Sequence, residues 1–174
     1  NPALLAKMAA TLDHASHGRF VLALGAAWFA REHEAYGWDF PSLKERSDRF
    51  EEACELIRTL FTSDGPVNYN GRYYRLDQAP MSPGCYQKPH IPMLIGGTGE
   101  QRTMRTLAMH GDILNIDGWS GRGMSDELYQ HKVNVLERHC EKVGRDPSEI
   151  KHTLLAPVLI TEDKAEAERF NEAR

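Results

Sequence analysis

Cysteine is scarce in this 174-residue chain: Cys54, Cys85 and Cys140 are odd in number, far apart and outside any Cys-x-x-Cys. That argues against a disulfide scaffold and a zinc ribbon, and it fits a reducing compartment. Long apolar runs are missing too. No segment approaches the roughly 18 consecutive apolar residues of a membrane span, and residues 1 to 20 lack a basic-then-apolar leader pattern. The expectation is a cytoplasmic protein with no membrane partner. Positive charge is not in excess: 21 Lys+Arg stand against 25 Asp+Glu, for a net charge of -4. No basic stripe is available for a phosphate backbone, so nucleic acid is not an expected partner. Metal spacing is absent as well. His33 lies between Glu32 and Glu34, but there is no H-E-x-x-H, and adjacent residues on a helix point apart. A Gly-x-Ser-x-Gly nucleophile elbow is also lacking.

What is present is a globular composition, 41% hydrophobic and 26% charged, arranged in alternating strand and helix patterns. Asn1-Pro2 can open a helix over 2 to 16, with Leu4, Met8 and Leu12 as its apolar face and Gly18 past its end. Phe20-Val21-Leu22-Ala23-Leu24-Gly25 reads as a strand buried on both faces. A long aromatic loop follows, carrying Trp28, Phe29, Tyr36, Trp38 and Phe40. Ser42-Leu43-Lys44-Glu45 is a capping box for a helix over 43 to 61. Asn70-Gly71 predicts a two-residue hairpin turn with positive φ, and Pro80, Pro83, Pro89 and Pro92 mark an extended connection. Strands are expected over 93 to 95, 112 to 116 and 153 to 160. Between them come helices from Glu100 to His110 and from a Ser125 cap to a Gly144 stop, and Thr161 caps a last one. Four strand-loop-helix repeats of this kind mean a parallel α/β fold, either a doubly wound sheet or a (β/α) barrel. The whole chain reads as one domain, with residues 64 to 92 inserted as hairpin and loop.

Ile95-Gly96-Gly97-Thr98-Gly99-Glu100-Gln101-Arg102 carries the sharpest signal. Glycines let backbone N–H groups approach an anion, and a following helix adds partial positive charge, so a phosphate fits there. A tight turn whose glycines serve packing fits equally well. Arg102 occupies the third glycine position of a dinucleotide fingerprint, and no Gly-Lys-Ser/Thr follows, which disfavours a Rossmann-type nucleotide protein. Gly25-Ala26-Ala27-Trp28 follows the first strand, on the side where parallel α/β proteins bind ligands. Small residues and then a tryptophan could wall a slot for a flat ring, or plug the core. Asp112, Asn115 and Asp117, followed by Gly118-Trp119, could hydrogen-bond a ligand or merely satisfy turn donors. His131 and His139 read as a solvated helix face beside a core Cys140.

Leu12-Asp13-His14-Ala15-Ser16-His17-Gly18-Arg19-Phe20, Gly25-Ala26-Ala27-Trp28-Phe29 and Glu34-Ala35-Tyr36-Gly37 resemble the luciferase-like monooxygenase superfamily. Asp39-Phe40-Pro41, Glu45-Arg46, Asn70-Gly71-Arg72-Tyr73-Tyr74, Ile95-Gly96-Gly97-Thr98-Gly99-Glu100 and Gly111-Asp112 extend the likeness over nearly the whole chain. The flavour is that of members using the deazaflavin coenzyme F420 rather than FMN. The resemblance implies a (β/α)8 TIM barrel of the luciferase-like type, seen here over its middle and C-terminal part. It also implies a cofactor at the C-terminal ends of the strands. The phosphate would lie near Gly96, Gly97, Thr98, Gly99 and Glu100, and the ring near Gly25 and Trp28. Bacterial luciferases place an arginine where Trp28 stands, which weighs against FMN. The implied activity is hydride transfer between F420 and a small organic substrate, with a homodimer as an admissible assembly. An FMN-dependent monooxygenase and a non-catalytic flavin-binding relative are the alternatives. A full barrel needs about 250 residues, Asn1 is not a Met, and 165 to 170 read as mid-helix. The expectation is a domain incomplete at both ends, with catalytic residues unassigned because the family's proton-handling strands come earlier.

Overall fold

The computed structural model of the chain describes residues 1–117 and 124–172. Asn1 caps helix α1 (Pro2–Ala15), its side chain accepting the amides of Ala3 and Leu4. The expected apolar face of this helix is the wrong one. Leu4, Met8 and Leu12 are exposed, while Pro2, Ala6, Ala9, Ala10 and Asp13 are buried. Alanines allow α1 to lie close against a later helix, and Asp13 is buried because Gln87 satisfies it, through its backbone N–H at 3.0 Å and its Nε2 at 2.7 Å.

Strand β1 (Leu22–Leu24) follows, then a short helix α2 (Ala30–Ala35) inside the aromatic loop and the long helix α3 (Leu43–Thr62). The Ser42 hydroxyl accepts the Glu45 amide, as the capping box predicts. Strands β2 (Val67–Asn70) and β3 (Arg75–Ala79) form a separate antiparallel pair. Their turn is not the two-residue Asn-Gly form. Residues 71 to 74 make the connection, closed by Gly71 N–H to Tyr74 O, and Gly71 is not among the positive-φ glycines. The cause lies outside the hairpin. The Glu52 carboxylate of α3 accepts the N–H groups of Arg72, Tyr73 and Tyr74, and a Cβ on Gly71 would collide with it.

Strand β4 (Met93–Gly96), helix α4 (Thr103–His110), strand β5 (Ile113–Asp117), helix α5 (Asp126–Val143), strand β6 (Lys151–Leu155) and helix α6 (Lys164–Glu172) complete the chain. Helix α4 starts three residues later than expected, so residues 98 to 102 are loop. Strand β6 starts two residues earlier and ends sooner, because its pairing with β5 runs from Ile113↔Lys151 to Asp117↔Leu155. Asp163, not Thr161, supplies the side-chain acceptor for the first turn of α6. The four main strands form one parallel sheet in the order β1-β4-β5-β6. Met93, Ile95, Leu114 and Ile116 are fully buried in the core shared with the helices. By the two-residue period of a strand, Leu94, Gly96, Asn115 and Asp117 belong to the opposite face.

The N-terminal ends of these strands are locked. Asp112 accepts both a hydrogen bond from the Met93 amide at 2.8 Å and two from Arg58 at 2.9 and 3.0 Å. Arg145 Nη1 donates to the Gly111 carbonyl at 2.6 Å, and its Nη2 lies 3.9 Å from Asp112. Asp112 thus serves the fold, but its donors are the amide of Met93 on β4 and the guanidinium of Arg58 on α3, distant in sequence, and not the turn donors expected of it.

Candidate functional site at the C-terminal ends of the strands

At the other end of the sheet, β1 and β4 both run out into glycine. A Cβ on Gly25 would stand 4.0 Å from the Gly96 carbonyl, and one on Gly96 would stand 4.0 Å from that of Leu24. Two adjacent strand ends therefore present bare backbone. Ala27 then takes φ 62°, a conformation few residues with a Cβ adopt, and Trp28 follows with 84% of its surface exposed and its ring 5.2 Å from that of Phe29.

The 96–100 loop is shaped by Gly97, whose φ of 127° lies in the region reserved for glycine. Its N–H is used, donating to Asn115 O at 3.2 Å. The amides of Thr98, Gly99, Glu100 and Gln101 donate to no acceptor among the described residues. At Gly99 a Cβ would come within 2.8 Å of Thr103 Oγ1, so a side chain there would crowd the first residue of α4. Consecutive N–H groups without a protein acceptor just ahead of a helix could hold an anion such as a phosphate.

Helix α5 holds this loop from outside. Lys132 Nζ donates to the Thr98 carbonyl at 3.0 Å and to Glu100 Oε1 at 2.6 Å. His131 Nε2 lies 3.1 Å from the same carboxylate oxygen, and His139 Nε2 lies 2.8 Å from the Glu100 carbonyl. The Lys132 hydrogen bond is the main reason the Glu100 carboxyl is held below its ordinary range. Glu100 thus turns its side chain towards α5, and only its amide is left to the loop. The two histidines are not a merely solvated face. Their separation by eight residues puts them two turns apart on one side of α5, a spacing that could have flagged them. Cys140 points the other way into the core, where burial raises its thiol pKa.

The nearby arginines are already neutralised. Arg102 pairs with Asp48 and Glu51, and Arg105 with Glu51. Hydrogen bonds from Lys44 and then Arg102 lower Asp48 to about 2. An open cavity of about 720 Å³ lies between α1 and α3 beside the end of β1, walled by Leu4, Leu24, Gly25, Trp38, Phe50 and Ile57 among others. Trp28 does not line it. Gly118 and Trp119 lie outside the described residues, and no group of three or more potential metal ligands occurs among those described.

A family model for luciferase-like monooxygenases matches residues 1–171. The chain belongs to the luciferase-like monooxygenase family. It is 36% identical to an F420-dependent glucose-6-phosphate dehydrogenase of Amycolatopsis mediterranei, over 88% of this chain and 44% of that protein. It is 28% identical to an FMNH(2)-dependent dimethylsulfone monooxygenase of Pseudomonas putida, over 98% of this chain and 48% of that one. Among solved structures, an F420-dependent secondary alcohol dehydrogenase bound to an F420-acetone adduct superposes with a TM-score of 0.76 at 28% identity, over 88% of this chain and 44% of that chain. The luciferase-like chain therefore spans about half the length of such relatives, and its four-stranded parallel α/β sheet corresponds to part of the TIM barrel of their family. These relatives are flavin- or deazaflavin-dependent oxidoreductases, and no described helix is long and apolar enough to cross a membrane.

Proposed function

We propose that the full-length luciferase-like protein is a cytoplasmic F420-dependent oxidoreductase acting on a small organic substrate. The observation that carries the reading is the row of amides at Thr98, Gly99, Glu100 and Gln101 without an acceptor among the described residues, at the strand end where the family resemblance implies the cofactor's phosphate. Gly97 sets the path of the loop, Gly96 keeps the strand end bare, and Lys132 fixes the loop through Glu100 and Thr98 without placing a free charge in it. Gly25 and Trp28 bound the ring: the glycine allows close approach to backbone, and the exposed indole offers a flat apolar wall. The bound deazaflavin would supply the redox chemistry by giving or accepting a hydride. The protein's part is to anchor the phosphate, orient the ring and exclude water.

Trp28 in place of a phosphate-gripping arginine supports F420 over FMN, as does the 36% identity to an F420-dependent dehydrogenase. The second reading, an FMN-dependent monooxygenase, is supported by the likeness to the Pseudomonas putida enzyme. Titration of the full-length protein with F420 and with FMN, followed by fluorescence, separates the two. The expected result is saturable F420 binding. Tight FMN binding with none of F420 overturns the deazaflavin reading in favour of the second, and binding of neither contradicts both.

A further inference from the structure

We propose that Asn115 is a ligand-binding residue of this same site, accepting a hydrogen bond from the polyol linker between the cofactor's phosphate and its ring, with Thr153 as its positioning residue. The inference rests on the flavin-type reading above and goes beyond it by naming a contact on β5. Asn115 pairs in register with Gly96 on one side and Thr153 on the other, and its carbonyl holds the Gly97 N–H. It is thus one residue removed from the phosphate loop, on the sheet face opposite the buried Leu114 and Ile116.

The orientation of its amide follows from proton counting. Thr153 Oγ1 lies 2.9 Å from the Leu114 carbonyl, which can only accept, so the single hydroxyl proton goes there. The hydroxyl then acts as acceptor towards Asn115, 2.8 Å away, and the Asn115 atom facing it must be Nδ2. Nδ2 is consumed on Thr153, and Oδ1 is left with no partner among the described residues. A fixed amide oxygen, between a bare glycine strand end and a phosphate loop, calls for a hydrogen-bond donor on the ligand. Both F420 and FMN carry a five-carbon chain bearing hydroxyl groups next to the phosphate, and with the phosphate held by the loop that chain would be the part to meet Asn115, whose carbonyl already holds Gly97.

The test compares two ligands in the full-length protein. One is the cofactor it takes up, and the other is the same ring carrying a terminal phosphate on a five-carbon linker without hydroxyls. Asn115→Ala is expected to weaken the natural cofactor about fivefold to tenfold, the size of one neutral hydrogen bond, and to leave the hydroxyl-free analogue unchanged. Thr153→Val should give a smaller loss of the same selectivity, and Thr153→Ser should restore it. Should Asn115→Ala not fold, the Thr153 pair carries the comparison. Equal losses on both ligands, or no loss on either, would overturn the proposal while leaving the functional reading intact. Failure of the unmodified protein to bind F420 or FMN at all would overturn both.

Discussion

At the N-terminal ends of the strands, Asp112 has its carboxylate filled by Arg58 and the Met93 amide, and Arg145 closes over the Gly111 carbonyl. At the C-terminal ends of the same strands, Gly25 and Gly96 leave bare backbone, and the amides of residues 98 to 101 have no acceptor among the described residues. One sheet thus has an end whose polar groups satisfy one another and an end with backbone amides that have no acceptor among the described residues. A buried or half-buried donor left unpaired costs stability. Gly99 and Gln101 are exposed and Thr98 and Glu100 half-buried, so water reaches these amides and a ligand could replace it. On the proposed reading the difference separates residues that hold the fold from residues that would hold a ligand, and it can be attacked from either side.

The largest effect is expected at the locked end. Asp112→Ala strands Arg58 and the Met93 amide together and should cost about 2–3 kcal/mol in urea unfolding of the full-length protein. Cofactor affinity of the folded fraction should stay within about twofold. A comparable loss of affinity would mean that the two ends are not separable.

Gly97→Val attacks the open end. A β-branched residue at φ 127° is strained and would redirect the loop, so cofactor affinity should fall tenfold or more while stability falls by about 1–2 kcal/mol. Unchanged affinity would show that the loop conformation does not matter to binding.

Lys132→Met sharpens the comparison by loosening the outer support of the open end. Because the Glu100 carboxyl is held below its ordinary value of 4.5, chiefly by Lys132, the contribution of their pairing is present above that value and is lost as pH falls through the lowered one. Cofactor affinity of the unmodified protein should hold from neutral pH down past 4.5 if the fold survives there. In Lys132→Met the acid limb should move up towards that value, with about a threefold loss at neutral pH. Identical pH profiles would remove Glu100 from the account.

The smallest stability change is expected for Trp28→Ala. An indole with 84% of its surface exposed adds little to the fold, so unfolding should shift by less than about 0.5 kcal/mol. Ring binding should weaken nonetheless, read as lost quenching of cofactor fluorescence. No change in either would take Trp28 out of the ring site.

Local patterns carried much of this into the sequence. The capping residues Ser42 and Ser125, the left-handed Gly144 stop and the glycines after β4 are dictated by nearby atoms, and each was legible. What escaped depends on distant partners. The buried face of α1 follows small size and the Gln87 partner of Asp13, 74 residues away, and not the largest apolar side chains. The hairpin turn was misread because Glu52, on another element, organises its amides. Lys132 and His139 reach the loop only once α5 packs beside α4, so the support of the 96–100 loop was invisible while the glycine loop itself was legible.

Phosphate recognition by the 96–100 loop is the centre of the account, and removing the phosphate from the ligand tests it most directly. The full-length protein should bind FMN or F420 at least about a hundredfold more tightly than the corresponding ring and polyol chain without phosphate, a margin set by several charge-assisted hydrogen bonds. Gly97→Val should collapse that margin. Equal affinity with and without the phosphate would contradict the assignment of the open end as the cofactor's anchor.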